Sequence, residues 1–117
     1  MPQTDQHIEI YQGADEYILI AVKDEAGSPV DLTTFDSLCW HLMQNDAEVV
    51  KYDLTDAELV IADADDTNDA VKVHISKAIT AGMDLGGIYR HQAWGTISGD
   101  SRPFCVGVVT VLRGDGC

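Results

Sequence analysis

Short apolar runs separated by Gly, Pro, Asn and Asp clusters recur along the whole chain. Residues 37–44 and 70–76 alternate along their length, so that Leu38, Trp40 and Leu42 fall on one side of an extended segment. Alternation with a period of two, interrupted by turn residues, is typical of antiparallel strands in a sandwich or a barrel. The pattern therefore predicts an all-β domain.

Further strands are predicted wherever such a run lies between two turn signals. Residues 16–23 are apolar on both faces, which predicts a central strand covered on both sides. Residues 88–98 and 103–112 are joined by a short polar turn at 99–102, which predicts a hairpin. Residues 76–81 form the best helical segment, one or two turns long. The other predicted strands cover residues 7–12, 48–52 and 58–62.

Seven or eight strands and one short crossing helix predict an immunoglobulin-like antiparallel β-sandwich. The length of 117 residues fits a single domain over 1–117. The two ends, residues 1–6 and 114–117, are expected to be flexible arms. Cys39 and Cys105 lack the spacing of the antibody-domain disulfide, so we expect them to be small buried side chains.

The charge balance narrows the range of partners. Twenty acidic residues against seven basic ones give a formal net charge of −13 at pH 7. Such a surface repels phosphate backbones and anionic lipid, so we expect neither a nucleic acid nor a membrane partner. The charge favours solubility, and attraction to a basic partner surface or to cations is the alternative. Residues 1–5 lack the features of a signal peptide, which predicts a protein made and kept in a cytoplasm or packaged without secretion.

Side chains capable of chemistry are present without the spacing that chemistry needs. The acidic segment 63–69 lacks the Gly and Glu positions of an EF-hand loop, which favours a polar turn and leaves a looser calcium site open. His41, His74 and His91 lack the spacing of a zinc site with Cys39 or Cys105. Neither a nucleophile elbow nor a phosphate-binding loop is present. We therefore expect no enzymatic activity, no catalytic residue, no cofactor and no metal.

Binding explains the composition better than catalysis. The aromatic side chains outnumber what one small core needs. Trp94 shares a predicted strand face with Arg90, Gln92 and Thr96, and such a mixed, half-polar face is typical of an interface strand. Edge strands of an open sandwich also allow strand addition by a partner. The candidate interface residues are Trp94, Tyr89, Arg90, Tyr52 and Tyr11.

Two stretches resemble a known family. Residues 8–17 read IEIYQGADEY and residues 22–33 read VKDEAGSPVDLT. Together they resemble small tailed-bacteriophage virion proteins with an immunoglobulin-like domain, and they are similar to the N-terminal domain of phage baseplate upper proteins. Residues 71–76 and 87–90 resemble the same family's later strands. The sequence departs from the family pattern at Thr34-Phe35, where Gly-Ala is usual. It stops at Cys117, whereas the baseplate proteins continue into a long C-terminal extension, and a stand-alone accessory subunit is therefore expected.

The resemblance implies a non-enzymatic virion structural protein, assembled in the host cytoplasm. A capsid decoration or cement subunit is the first expectation, and a tail, neck or baseplate component is the alternative. The expected partners are other virion proteins, namely the major capsid protein or tail and baseplate proteins, and further copies in a homo-oligomer. The alternative from a different functional class is a carbohydrate- or cell-surface-binding module. It would use Trp94, Tyr89 or Tyr52 as stacking platforms for sugar rings.

Overall fold

The computed structural model describes residues 4–114. These residues form nine strands, a short α-helix and one turn of 3-10 helix at Leu32–Thr34. The strands are β1 (Thr4–Asp5), β2 (Ile8–Tyr11), β3 (Glu16–Ala21), β4 (Ser37–Gln44), β5 (Ala47–Asp53), β6 (Leu59–Ala62), β7 (Ala70–Ile75), β8 (Tyr89–Ile97) and β9 (Asp100–Leu112). The helix α1 (Lys77–Ala81) lies between β7 and β8, where the sequence predicts it.

Two sheets face each other in the order β1/β2-β9-β8-β4-β5 and β3-β7-β6. Strands β1 and β2 both pair with β9 in parallel, with Thr4 opposite Cys105 and Ile8 opposite Val109. The register does not change between these pairs, so β1 and β2 are one interrupted edge strand. Counted in this way, eight strands form an immunoglobulin-like β-sandwich, and the predicted fold is confirmed.

The β8–β9 hairpin is tighter than the predicted turn at residues 99–102. Ser98 and Gly99 have φ of +52° and +85°, and β9 begins at Asp100. A two-residue turn with positive φ at both positions matches the right-handed twist of the strands that it joins.

The chain ends differ in part from the predicted flexible arms. Residues 4–6 belong to the sheet edge, because β1 pairs with β9 and the Gln6 N–H donates to the Val106 carbonyl at 2.8 Å. Gly114 packs closely against the carbonyl oxygen of Gln12. The remainder of both predicted arms, residues 1–3 and 115–117, lies outside the described residues.

Trp40 and His91 meet in the core between the sheets, and both are 0% exposed. The Trp40 indole N–H donates to His91 Nδ1 at 3.1 Å, and His91 Nε2 lies 2.8 Å from the Gln6 carbonyl oxygen. An indole nitrogen only donates and a carbonyl oxygen only accepts, so these contacts specify a neutral imidazole with its proton on Nε2. In antibody domains the corresponding strand-C tryptophan packs against a disulfide. Here it is hydrogen-bonded to a histidine.

The larger sheet also contains two cysteines and a buried tyrosine, Tyr89. Cys39 on β4 and Cys105 on β9 are free thiols. Cys105 is buried, as expected, but Cys39 is only partly buried, because it lies at an outward position of β4. Tyr89 is 1% exposed, and its Oη accepts the backbone N–H of Asp84 at 2.7 Å. A tyrosine early in this strand that bonds to upstream backbone is the tyrosine corner of immunoglobulin-like domains. The corner fixes the connection from α1 into β8.

Strand β3 corrects one prediction. Its sequence predicts a strand covered on both sides, yet Tyr17 and Leu19 are 61% and 47% exposed. Among the described strands β3 pairs with β7 alone, and its outward side is open to solvent. The apolar residues on its two faces therefore have different roles: Ile18 and Ile20 fill the core, and Tyr17 and Leu19 form a surface.

Candidate functional site: the outward face of the larger sheet

The outward side chains of β4, β8 and β9 form a surface that we call the open face. Alternation along each strand places one set of residues in the core and the other set outside. The cross-strand register aligns His41 with Gln92 and Val106, and Met43 with Arg90 and Val108. The open face comprises Cys39, His41, Met43, Arg90, Gln92, Trp94, Thr96, Val106, Val108 and Thr110.

The open face has no carboxylate, although the chain has twenty. Strands β4, β8 and β9 contain one acidic residue, Asp100, which lies in the hairpin and lines a different surface. The flanking strands supply margins with more acidic than basic residues, namely Asp5 and Glu9 on one side and Glu48, Lys51 and Asp53 on the other. Depletion of charge at the centre, together with Trp, Met and Arg, is characteristic of protein–protein interface cores.

Hydrogen bonds hold the centre of the open face in place. Gln92 Oε1 accepts the Trp94 indole N–H at 2.9 Å and lies 3.1 Å from His41 Nε2. Both contacts require a donor facing the amide oxygen, so the His41 proton lies on Nε2. These hydrogen bonds fix the side-chain conformations of His41, Gln92 and Trp94 in the isolated protein. Preorganisation of this kind lowers the entropy cost of association.

Arg90 lines two shallow pockets of the open face. One pocket, of about 250 Å³, reaches His41, Met43 and Asp46, and the other, of about 150 Å³, reaches Val106. Within residues 4–114 the Arg90 guanidinium forms no ion pair. A guanidinium without a partner offers several fixed donors to carboxylate or carbonyl oxygens.

The structure divides the predicted interface residues into two groups. Trp94 and Arg90 lie together on the open face, and Tyr11 is 50% exposed on the edge strand β2. Tyr89 and Tyr52 are only 1% and 9% exposed, so their assignment as interface or sugar-stacking residues is wrong. Both sit at inward positions of their strands, Tyr52 directly opposite Trp40.

Sequence reasoning missed Met43, Val106 and Val108. Four of the six residues 106–111 are valine, so alternation alone does not reveal which of them point inward. The register with β8 decides it, because Val108 pairs with the outward Arg90 and Val109 with the buried Tyr89. Tyr17 was also missed as an exposed aromatic residue; its ring stacks on His74 with the ring centroids 4.5 Å apart.

Burial sets the protonation state of the two described cysteines. Burial raises the pKa of Cys105 to about 11 and also raises that of Cys39, so both are held as thiols. No three His, Cys, Asp or Glu side chains among residues 4–114 are placed to hold a metal ion. In the same part of the chain no helix is long and apolar enough to cross a membrane.

The acidic segment 63–69 is a turn organised by its own carboxylates. Burial opposes ionisation of Asp69, but three backbone N–H groups, those of Ala64, Asp65 and Asp66, donate to its carboxylate and lower its pKa. Lys23 pairs with Asp65 at 2.9 Å. These bonds account for the cluster as a structural turn.

The structure is an immunoglobulin-like domain whose larger sheet presents the open face. No family model matches the chain, and no curated protein matches it. Solved structures similar to it include the N-terminal Ig1-2 module of the Drosophila receptor protein tyrosine phosphatase DLAR, at 18% identity and a TM-score of 0.45 over 97% of this chain and 47% of that one. A chicken TCR matches at 10% identity and a TM-score of 0.48 over 94% of this chain and 49% of the other. The chain spans about half the length of each, and the likeness concerns the fold alone.

Proposed function

We propose that this protein is a non-catalytic assembly subunit that attaches to a larger protein through the open face. The observation that carries the proposal is the absence of carboxylates from the centre of this face in a chain with a net charge of −13. Solubility alone gives no reason to exclude acidic residues from the outward positions of three adjacent strands. Contact with a partner does, because an unpaired buried carboxylate is costly.

The margins of the open face indicate the chemistry of the partner. Asp5 and Glu9 border the open face on one side, and Glu48 and Asp53, with Lys51 between them, border it on the other. A second copy docked face to face would bring these carboxylates against one another, and like charges at an interface disfavour association. A different protein with an apolar patch and basic margins would gain attraction at the same positions. We therefore assign the face to such a partner, and contacts between copies of this chain to other surfaces.

The sequence resemblance supports a more specific version of this proposal. A small subunit that docks by one face and presents an acidic surface elsewhere suits the outside of a bacteriophage particle. We propose a capsid decoration or cement role first and a tail, neck or baseplate position second. The partner is then the major capsid protein or a tail or baseplate protein, and the location is the virion.

Particles of the phage that encodes this chain provide the test. Particles assembled without the gene would be mixed with purified protein, sedimented, and assayed for bound subunit. Val108 on the open face and Leu85 beyond it are 45% and 50% exposed, so Val108→Asp and Leu85→Asp are matched variants. We expect wild-type protein and Leu85→Asp to rebind, and Val108→Asp to lose at least tenfold in affinity.

Two results would contradict the proposal in different ways. Absence of the chain from wild-type particles would refute the virion assignment. Equal rebinding by Val108→Asp and wild type would refute the open face as the attachment surface. Immunogold labelling of intact particles then separates capsid from tail.

A further inference from the structure

A cavity of about 370 Å³ opens at the end of the sandwich where the β8–β9 hairpin projects. Gly95 and Ile97 occupy inward positions of β8, and the register places Arg102 and Asp100 directly opposite them on β9. The smaller sheet does not cover this part of the hairpin. The connection from β3 to β4 lies over it instead and contributes Asp24, Val30, Thr34 and Phe35.

The walls of this cavity are fixed. The Asp36 backbone N–H donates to the Thr96 carbonyl at 2.8 Å, and its carboxylate accepts the Ser98 N–H at 3.0 Å. One residue thus ties the connection to the end of β8 and to the hairpin turn. A Cβ at Gly95 would lie 2.6 Å from the Phe35 ring, so the absence of a side chain there admits the ring. The space is a built feature and not a gap between loose loops.

The cavity is lined by apolar side chains and by charged side chains that form no ion pair within the described residues. Val30, Phe35 and Ile97 supply the apolar wall, and Ile97 is 42% exposed at the opening. Asp100 and Arg102 take part in no ion pair within residues 4–114. Charged side chains at inward strand positions are unusual, since such positions normally face the core.

We propose that this cavity binds a peptide segment of a partner in which an apolar side chain stands next to a lysine or arginine. The volume and apolar wall match those of ligand pockets that hold an apolar group with a few polar contacts. Asp24 and Asp100 outnumber Arg102 at the rim, so the rim favours a cation. The negative net charge of the whole chain also attracts cations. This site is separate from the open face and does not depend on its role.

Three capped dipeptides test the proposal by NMR titration of the isotopically labelled protein. Acetyl-Leu-Lys-amide carries both features, acetyl-Leu-Glu-amide reverses the charge, and acetyl-Gly-Lys-amide lacks the apolar group. We expect the first to shift the amide signals of Thr34, Phe35, Gly95 and Ile97. Its Kd should be about fivefold lower than that of the Leu-Glu peptide at low ionic strength, as one surface charge contact allows. The Gly-Lys peptide should leave these signals unchanged.

Variants of the exposed rim separate the charge effect from a change in folding. Asp100→Asn should reduce the difference in Kd between the Leu-Lys and Leu-Glu peptides. Arg102→Gln should increase that difference. Val30→Phe fills the cavity and should abolish the shifts, with Val108→Asp as a control that leaves them intact. Equal affinity for the two charged peptides, shifts that map to the open face, or binding unchanged in Val30→Phe would overturn the proposal. None of these results bears on attachment through the open face.

Discussion

Gly107 lies directly opposite His91 in the β8–β9 ladder, and only a residue without a side chain fits there. A Cβ at position 107 would collide with the Gln6 carbonyl and lie 2.7 Å from His91 Nε2. The bare backbone at Gly107 therefore lets the N-terminal edge strand reach the buried imidazole. This contact links the edge of the larger sheet to the core.

Replacement of Gly107 by alanine should detach or shift the edge strand. The added methyl has no space, so we expect a loss of about 1–3 kcal/mol in the free energy of unfolding, as for other overpacked sites. Denaturant titration measures it. Gly82→Ala is the matched control, because a Cβ there lies 3.6 Å from the nearest atom, the Ile79 carbonyl oxygen. Equal stability of the two variants would show that Gly107 is not required.

Trp40 and Trp94 allow a comparison of the same chemical change in two settings. Trp40→Phe removes the donor to His91 and leaves a buried ring nitrogen unpaired, at a cost of about 1–3 kcal/mol for the unsatisfied group alone. Trp94→Phe removes a donor to Gln92 on the half-exposed open face, where water can replace it. We expect a clearly larger fall in melting temperature for Trp40→Phe. Similar falls would contradict the structural role of the Trp40–His91 bond.

Stability should depend on pH through His91. Burial lowers the pKa of His91 from the ordinary 6.5, although the Gln6 carbonyl and Asp5 partly oppose this. In the unfolded chain His91 then binds a proton near pH 6.5, while the His91 imidazole of the folded protein stays neutral. Stability is therefore full above pH 6.5 and is lost as the pH falls from there towards the folded-state pKa, by at most about 1.4 kcal/mol per pH unit.

Melting temperatures between pH 8 and pH 5 test this expectation. His91→Gln removes the titrating ring, so the variant should be less stable at pH 8 yet show a smaller decline towards pH 5. An unchanged decline in the variant would assign the pH dependence to other groups.

Asp69 should stabilise the turn at residues 63–69 in its ionised form. Its pKa is lowered in the fold, so its contribution is present above the ordinary value of 3.8 and is lost as the pH falls through the folded-state pKa. Asp69→Asn keeps the shape but presents an amide N–H₂ to backbone donors. We expect a lower melting temperature at pH 7 than for Asp66→Asn, a change at an exposed position in the same turn. A smaller effect of Asp69→Asn than of Asp66→Asn would contradict this role.

Strand positions and fold class followed from local pattern, but the sites mostly did not. The alternation at residues 37–44 marks β4 and places Trp40 in the core, because the burial of every second residue is a local property of an extended chain. The partner of each strand is not local. The assignment of Tyr52 to an interface failed for this reason: aromatic residues fit both a core and a surface, and only the register with Trp40 shows that Tyr52 points inward. Tyr89 alternates with Arg90 and Trp94, so the local pattern already indicated the opposite face.

The sequence by itself determined an all-β sandwich, the tight β8–β9 hairpin and a strongly acidic surface, because periodicity, turn residues and charge can all be read without knowing which strands meet. Only the tertiary structure decided that β4, β8 and β9 lie side by side and so unite their acid-free outward positions into one face. It also decided that His91 takes a place beside Trp40, and that the hairpin and the β3–β4 connection enclose a cavity. These features depend on contacts between residues far apart in the chain, and such contacts leave no periodic signal in the sequence.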